Sequence, residues 1–284
     1  MQVVIHTNIF NIICFVCLIK AHYSGRGFVY LCSKFLSQMK LLVCISKTPE
    51  TTARISFSDD NSTFNGEGVN FIMNPYDEWY ALVRALELKE KHGGSVTVIN
   101  VGPSTNDIVI RKALAIGADD AIRVDGDPID SYYTASQIYA QAKDGDYDIV
   151  FTGKETIDHN GSEVGAMLAE MLSVPFVSYA NHLEIEGDKL VVEREIDGGI
   201  QVVELSTPCV ISAAKGLAEQ RIPNMRGIMM AKRKPLNVVT PIDVSPRAVP
   251  VHFELPPEKS TVKMVDPEDM DELVRLLHEE AKVI

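Results

Sequence analysis

From Leu41 onward the chain alternates between continuous apolar runs and mixed runs of helical spacing. Leu41 to Ile45 is apolar throughout, as a parallel strand buried on both faces must be. Ser46 to Asn70 is a polar excursion in which Asn65-Gly66-Glu67-Gly68 marks a turn, so a small hairpin is expected there. Pro75 opens a helix with Asp77 and Glu78 in its first turn, where acids complement the helix dipole. Tyr80, Ala81, Val83, Leu86 and Leu88 supply its apolar face, and His92-Gly93-Gly94 ends it. Ser95 to Val101 reads as the second buried strand. After the Gly102-Pro103 turn, Ser104 or Thr105 is expected to cap a helix carrying Ile108, Ile110, Ala113, Leu114 and Ile116, which stops at Gly117. A strand over Ala121–Val124, a helix over Tyr132–Lys143, a strand over Tyr147–Gly153 and a helix over Ala166–Leu172 continue the alternation.

The pattern changes after Pro175. His182–Ile185, Leu190–Glu195 and Gln201–Leu205 read as strands joined by Glu186-Gly187-Asp188 and Asp197-Gly198-Gly199, turns that suit antiparallel hairpins. Cys209–Ala213 reads as a return into the main sheet. Prolines punctuate the chain from Pro241, and a helix over Pro267–Lys282 closes it. The fold class expected is α/β: three layers around a mostly parallel sheet, a hairpin excursion and an extended C-terminal arm. Three regions are expected: residues 1–38, residues 39–240 and the arm 241–284.

Composition narrows the partners. With 284 residues, 46% of them hydrophobic, a sizeable core can form. The net charge of −12 argues against general nucleic-acid binding, which needs a basic face. Of five cysteines, Cys44 and Cys209 sit in apolar strand-like runs and read as buried core thiols. Cys14 and Cys17 have metal-type spacing, but no second pair or His cluster follows them. The body of the chain reads as that of a protein from a reducing compartment. Val3–Ile19 is apolar but broken by His6, Thr7, Asn8 and Asn11, too short and polar for a membrane helix. It also lacks the basic start of a signal peptide. Met39 begins a strand at once, so the reading preferred is that translation starts there; an N-terminal membrane anchor is the alternative.

Lys154 to Gly165 reads K-E-T-I-D-H-N-G-S-E-V-G between a buried strand and a helix. Such a loop sits at the carboxyl ends of the strands, where open α/β sheets bind ligands. The first amides of the following helix attract an anion. An ordinary connecting loop accounts for the same pattern. No Walker loop with Gly-Lys-Ser/Thr occurs, since Gly153-Lys154-Glu155 departs from it, and His92, His159 and His182 are isolated. An adenine-nucleotide-binding hydrolase or sensor is the alternative of another class, and a hydrolase would need such a loop.

Seven strings stand in a recognisable order: Val43-Cys44-Ile45, Met73-Asn74-Pro75-Tyr76, Gly102-Pro103, Ala113-Leu114-Ala115-Ile116-Gly117-Ala118-Asp119, Gly153-Lys154 with Ile157-Asp158, Val192 to Gly199, and Ile228-Met229-Met230-Ala231-Lys232. Together they make the chain from Met39 onward resemble the β subunits of electron-transfer flavoproteins. The resemblance implies a nucleotide-binding sheet like that of the adenine-nucleotide hydrolases, and an electron carrier without a catalytic constellation of its own. It implies a heterodimer in which an α subunit holds most of the FAD and the β subunit binds AMP. It further implies acyl-CoA dehydrogenase-type donors serving fatty acid oxidation, a quinone oxidoreductase as acceptor, no stable membrane insertion, and a cytoplasmic or, in a eukaryote, mitochondrial matrix location. Cys44, Asn74, Val101, His159, Gly161, Ser162, Glu163, Val164 and Gly165 match positions around AMP in the family, and Tyr76 matches an aromatic near the flavin. Thr51 stands where some members have another aromatic. Glu195 matches a carboxylate that pairs with an α-subunit Arg. Met225 stands for the Leu anchor of the loop that docks dehydrogenases, beside Lys232-Arg233-Lys234. Ser162, Glu163 and Val164 replace the commonest Asn, Gln and Thr. Val before the last Gly also occurs in a bifurcating branch that carries a second FAD in place of AMP, so that alternative stays open.

Overall fold

The computed structural model describes residues 38–257 and 262–284. The expectations for residues 1–37 lie outside the described residues. The described chain forms two units, residues 38–54 with 68–249, and residues 55–67 with 250–284.

In the first unit the elements run β1 (Met39–Cys44), β2 (Lys47–Pro49), β3 (Phe71–Met73), α1 (Asp77–His92), β4 (Gly94–Val101), α2 (Asp107–Ile116), β5 (Asp120–Val124), α3 (Ser131–Ala142), β6 (Ile149–Gly153) and α4 (Val164–Leu172). They continue with β7 (Phe176–Glu186), β8 (Lys189–Ile196), β9 (Gly199–Leu205), β10 (Cys209–Ala213), α5 (Met225–Ala231) and β11 (Leu236–Val239). Nine strands form one sheet in the order β11-β5-β4-β1-β6-β10-β7-β8-β9. Every pairing from β11 to β7 is parallel, and β7-β8 and β8-β9 are antiparallel. The small hairpin expected in the excursion is β2 with β3, Thr48 opposite Ile72.

Successive strand residues point to opposite faces. Leu41, Val43, Val98, Phe151 and Ile211 therefore pack with Leu82 and Leu86 of α1 and Ile110 and Leu114 of α2. Leu42, Cys44, Ile99, Val101, Val150 and Val210 pack on the other face with Ile138 of α3 and Leu168 of α4. These are the three expected layers. Gly93, at φ 77°, ends α1 by donating its N–H to the Lys89 carbonyl.

Three local expectations change. Neither Ser104 nor Thr105 caps α2: Ser104–Asn106 forms a 3₁₀ turn that runs straight into the helix, with no side-chain cap. The buried Asn106 side chain bonds Asn100 Oδ1 at 3.0 Å instead. Lys234, in the basic run beside the docking segment, is not a free surface charge; its ammonium donates to the Leu114 and Ala118 carbonyls at the end of α2, and burial lowers its pKa. The proline-rich segment after Pro241 begins by strapping α3: Ile242 exchanges two hydrogen bonds with the Gln137 side chain, and the Arg247 and Ala248 amides reach Asp130.

In the second unit, Phe57 pairs with Phe64 in a single antiparallel bridge and its ring stacks on Phe253 at 4.9 Å. The terminal helix is shorter than expected. α6 (Met270–Arg275) is capped by Asp269 and passes into a π turn over Leu276–Glu280. Among the described residues no helix is long and apolar enough to cross a membrane.

Candidate functional site

The strand order sets the place of the site. From β1 the chain moves outward through β4 and β5, then returns to the opposite side of β1 as β6. Helices α1 and α2 cover one face and α3 and α4 the other. The connections therefore part at the carboxyl ends of β1 and β6, opening the kind of crevice in which such sheets bind ligands.

Cys44 ends β1 as a buried thiol whose pKa burial pushes well up, so it stays protonated and packs as a small apolar side chain. Val101 ends β4, also buried. Asn74, fully buried between β3 and α1, spans the two walls. Its N–H donates to the Ser46 carbonyl at 3.2 Å, and its Nδ2 donates to the Glu155 carbonyl at 2.9 Å. Its Oδ1 has no hydrogen-bond partner. Thr152 Oγ1, near the end of β6, is likewise buried and unpartnered. Polar atoms left this way cost stability unless a ligand or water satisfies them.

The loop after β6 is held from within. Lys154 Nζ pairs with Glu155 Oε1 at 2.8 Å, and Ser162 Oγ donates to Glu155 Oε2 at 3.2 Å. Asn160 and Ser162 adopt positive φ of 50° and 53°. His159, Gly161, Ser162 and Glu163 are exposed. Helix α4 starts at Val164, two residues earlier than the periodicity indicates, and no side chain caps it. Its first amides are thus left for a ligand or solvent. The two glycines differ in kind. A Cβ on Gly161 would make only ordinary contacts, 3.5 Å from Ser131 Oγ. A Cβ on Gly165 would lie 2.7 Å from Thr152 Oγ1 and 3.0 Å from the Phe176 ring, so Gly165 serves the close packing of α4 on β6.

Sequence reasoning missed Asp77 and Glu78. It set them in the first turn of α1 as dipole partners, but the structure buries both. Glu78 Oε2 accepts from the Ser46 N–H at 2.6 Å and Oε1 from the Ser46 hydroxyl at 2.8 Å. Burial raises the Glu78 pKa to about 8, and raises that of Asp77 as well. Their position directly after Met73-Asn74-Pro75-Tyr76, at a strand-end crevice, was the signal available.

The remaining candidates stand apart from the crevice residues in the hydrogen-bond pattern. Tyr76 is about half exposed, at 49%. Glu195 lines a shallow open cleft of about 320 Å³ with Asn181, His182, Glu193, Lys215 and Gly216. Met225 does not lie on a loop: it is the first residue of α5, whose cap is Asn224 accepting from the Gly227 N–H at 2.8 Å. It is 75% exposed. Gly227 sets α5 against α2, since a Cβ there would stand 2.3 Å from the Ala115 carbonyl oxygen.

These features define an α/β domain built on a mostly parallel sheet, with buried polar side chains gathered at its switch point. Residues 62–244 match the model of the electron transfer flavoprotein domain, and the chain belongs to that family. It is 35% identical over 260 residues to the electron transfer flavoprotein subunit beta of Bacillus subtilis, a match covering 87% of this chain and 100% of that protein. It is 32% identical over 246 residues to the human electron transfer flavoprotein subunit beta, covering 83% of this chain and 96% of the other. It is also 32% identical over 255 residues to Protein FixA of Azotobacter vinelandii, covering 82% and 90%.

Proposed function

We propose that this chain is the β subunit of a heterodimeric electron carrier, which receives electrons from acyl-CoA dehydrogenase-type donors and passes them to a quinone oxidoreductase. Family membership supports the electron-transfer role. FAD, held mostly by an α subunit, supplies the redox chemistry when bound. This chain supplies position and electrostatics: Tyr76 faces the flavin side and excludes water, and Glu195 pairs with a partner cation.

AMP is the nucleotide proposed for the crevice. The observation that carries this reading is an uncapped helix start at Val164 together with a buried, unpartnered acceptor, Asn74 Oδ1, on a side chain whose amide is bonded to the Glu155 carbonyl of the loop after β6. The amides of the 161–165 segment take the phosphate. Cys44, Asn74 and Val101 flank adenine and ribose. Glu163 is exposed, so water screens its charge from the phosphate. Val164 contributes its N–H alone. Met225 is the docking anchor for the dehydrogenase. Residues 250–284, in which Val251, Val262 and Met264 expose most of their surface, form the arm that meets the α subunit.

The test is to co-express the chain with its α partner, denature the purified dimer and quantify the released nucleotides. One FAD with one AMP per dimer supports the proposal. Two FAD without AMP would convert it to the bifurcating type. FAD alone would show that the 158–165 segment is a connecting loop.

A further inference from the structure

Ser46, the second residue beyond β1, is held on all three of its polar groups by the segment that opens α1. Its carbonyl accepts from the Asn74 N–H, its N–H donates to Glu78 Oε2, and its hydroxyl donates to Glu78 Oε1. The same Glu78 lies against the other wall of the crevice. A Cβ added to Gly153, the last residue of β6, would stand 2.8 Å from Glu78 Cγ and 3.2 Å from its amide nitrogen. Glu78 is only 6% exposed. A carboxyl so buried is costly unless it is hydrogen-bonded, and here both of its oxygens are taken by Ser46. Nothing in the AMP assignment above uses it.

We propose that Glu78 is a positioning residue for the nucleotide crevice, bracing the end of β1 at Ser46 against the end of β6 at Gly153 and so setting the width between the two walls. This rests on the AMP reading above. It explains why Gly153 carries no side chain: any Cβ there would displace the brace. It also explains why a carboxyl serves at position 78. Both of its oxygens are occupied by one residue, which fixes the direction of the chain leaving β1 in a way a single bond would not. The charged and titratable groups facing Glu78 are Asp77 on its own helix, Asp158 from the loop after β6 and the Cys44 thiol of β1. Burial and these acidic neighbours favour the protonated carboxyl, while the two Ser46 donors favour the carboxylate. The neutral carboxyl still accepts from the Ser46 N–H, and its own O–H can donate to the Ser46 hydroxyl.

The experiment uses the purified heterodimer, stripped of nucleotide, with AMP as the probe. Glu78→Ala, Glu78→Gln and Ser46→Ala are compared with the unaltered protein for AMP affinity by calorimetry, FAD per dimer and amide exchange at Ser46. Glu78→Ala is expected to weaken AMP binding about tenfold or more and to speed Ser46 exchange similarly, with FAD unchanged. Glu78→Gln, which keeps one acceptor and one donor, should stay within about threefold. Ser46→Ala, which keeps the N–H bond, should lose affinity in the same direction by less. AMP affinity and Ser46 exchange unchanged in Glu78→Ala would overturn the proposal, as would Glu78→Gln proving as impaired as Glu78→Ala. If Glu78→Ala does not fold, the Glu78→Gln and Ser46→Ala results decide. If the unaltered dimer binds no AMP at all, the AMP reading falls and this proposal with it; equal binding by all forms removes this proposal alone.

Discussion

The side-chain amide of Asn74 donates to the backbone carbonyl of Glu155 at 2.9 Å, across a sequence separation of 81 residues. Its backbone N–H meanwhile reaches the Ser46 carbonyl. One buried residue therefore ties the chain leaving β1 to the chain leaving β6, the two elements that bound the crevice. Replacing Asn74 by Ala should cost about 1–3 kcal/mol of stability, because the Glu155 carbonyl loses its donor. The same variant should release bound nucleotide. Urea unfolding of the heterodimer and nucleotide quantification check both; an unaltered midpoint would show that the tie is dispensable.

Glu78 makes the stability of the complex pH-dependent. Its pKa rises from an ordinary 4.5 to about 8 in the fold, with burial as the main cause. The folded state therefore holds the proton over a window in which the unfolded chain releases it. The associated stability is fully present below about 4.5 and is lost as pH rises through about 8. The span is on the order of a few kcal/mol. Denaturation midpoints measured from acid to mildly alkaline pH should fall for the unaltered protein relative to Glu78→Gln, whose side chain does not titrate. Parallel curves for the two would refute this.

The two loop glycines should respond differently to an added methyl. Gly165→Ala places a Cβ 2.7 Å from Thr152 Oγ1 and should destabilise by about 1–3 kcal/mol through overpacking. Gly161→Ala meets only ordinary contacts and should stay within about 0.5 kcal/mol. Thermal unfolding of the two variants side by side is the measurement. Equal losses would mean that α4 can shift away from β6.

Met225 should matter to a partner and not to the fold. It is largely exposed at the start of α5, so Met225→Ala should leave the unfolding midpoint and FAD content unchanged. A truncated interface anchor costs about 2 kcal/mol or more, which should appear as slower electron transfer from an acyl-CoA dehydrogenase. Unchanged kinetics with the dehydrogenase would remove Met225 from the docking surface.

The alternation of strands and helices was legible because it follows from local periodicity. Leu41–Ile45 is apolar on every residue and Cys209–Ala213 on all but Ser212 because the parallel sheet buries both of their faces. Gly93 and the Asp197-Gly198-Gly199 turn mark ends of elements through backbone conformations that the sequence displays directly. The α4 loop could likewise be placed at a strand end from its neighbours alone. The roles of single residues depended on tertiary approach. Gly161 and Gly165 look alike in sequence, and only the distance from α4 to Thr152 separates an open position from a packed one. The resemblance sets Met225 on a docking loop, whereas Asn224 caps a helix that begins at Met225. Lys234 stands in a basic run, and only the tertiary structure shows α2 supplying carbonyls for its ammonium. Asp77 and Glu78 show the limit most clearly. Helical position explains acids in a first turn, but burial is a property of the assembled layers. Only when β1 and β6 close around the start of α1 does Glu78 lose water and its pKa rise.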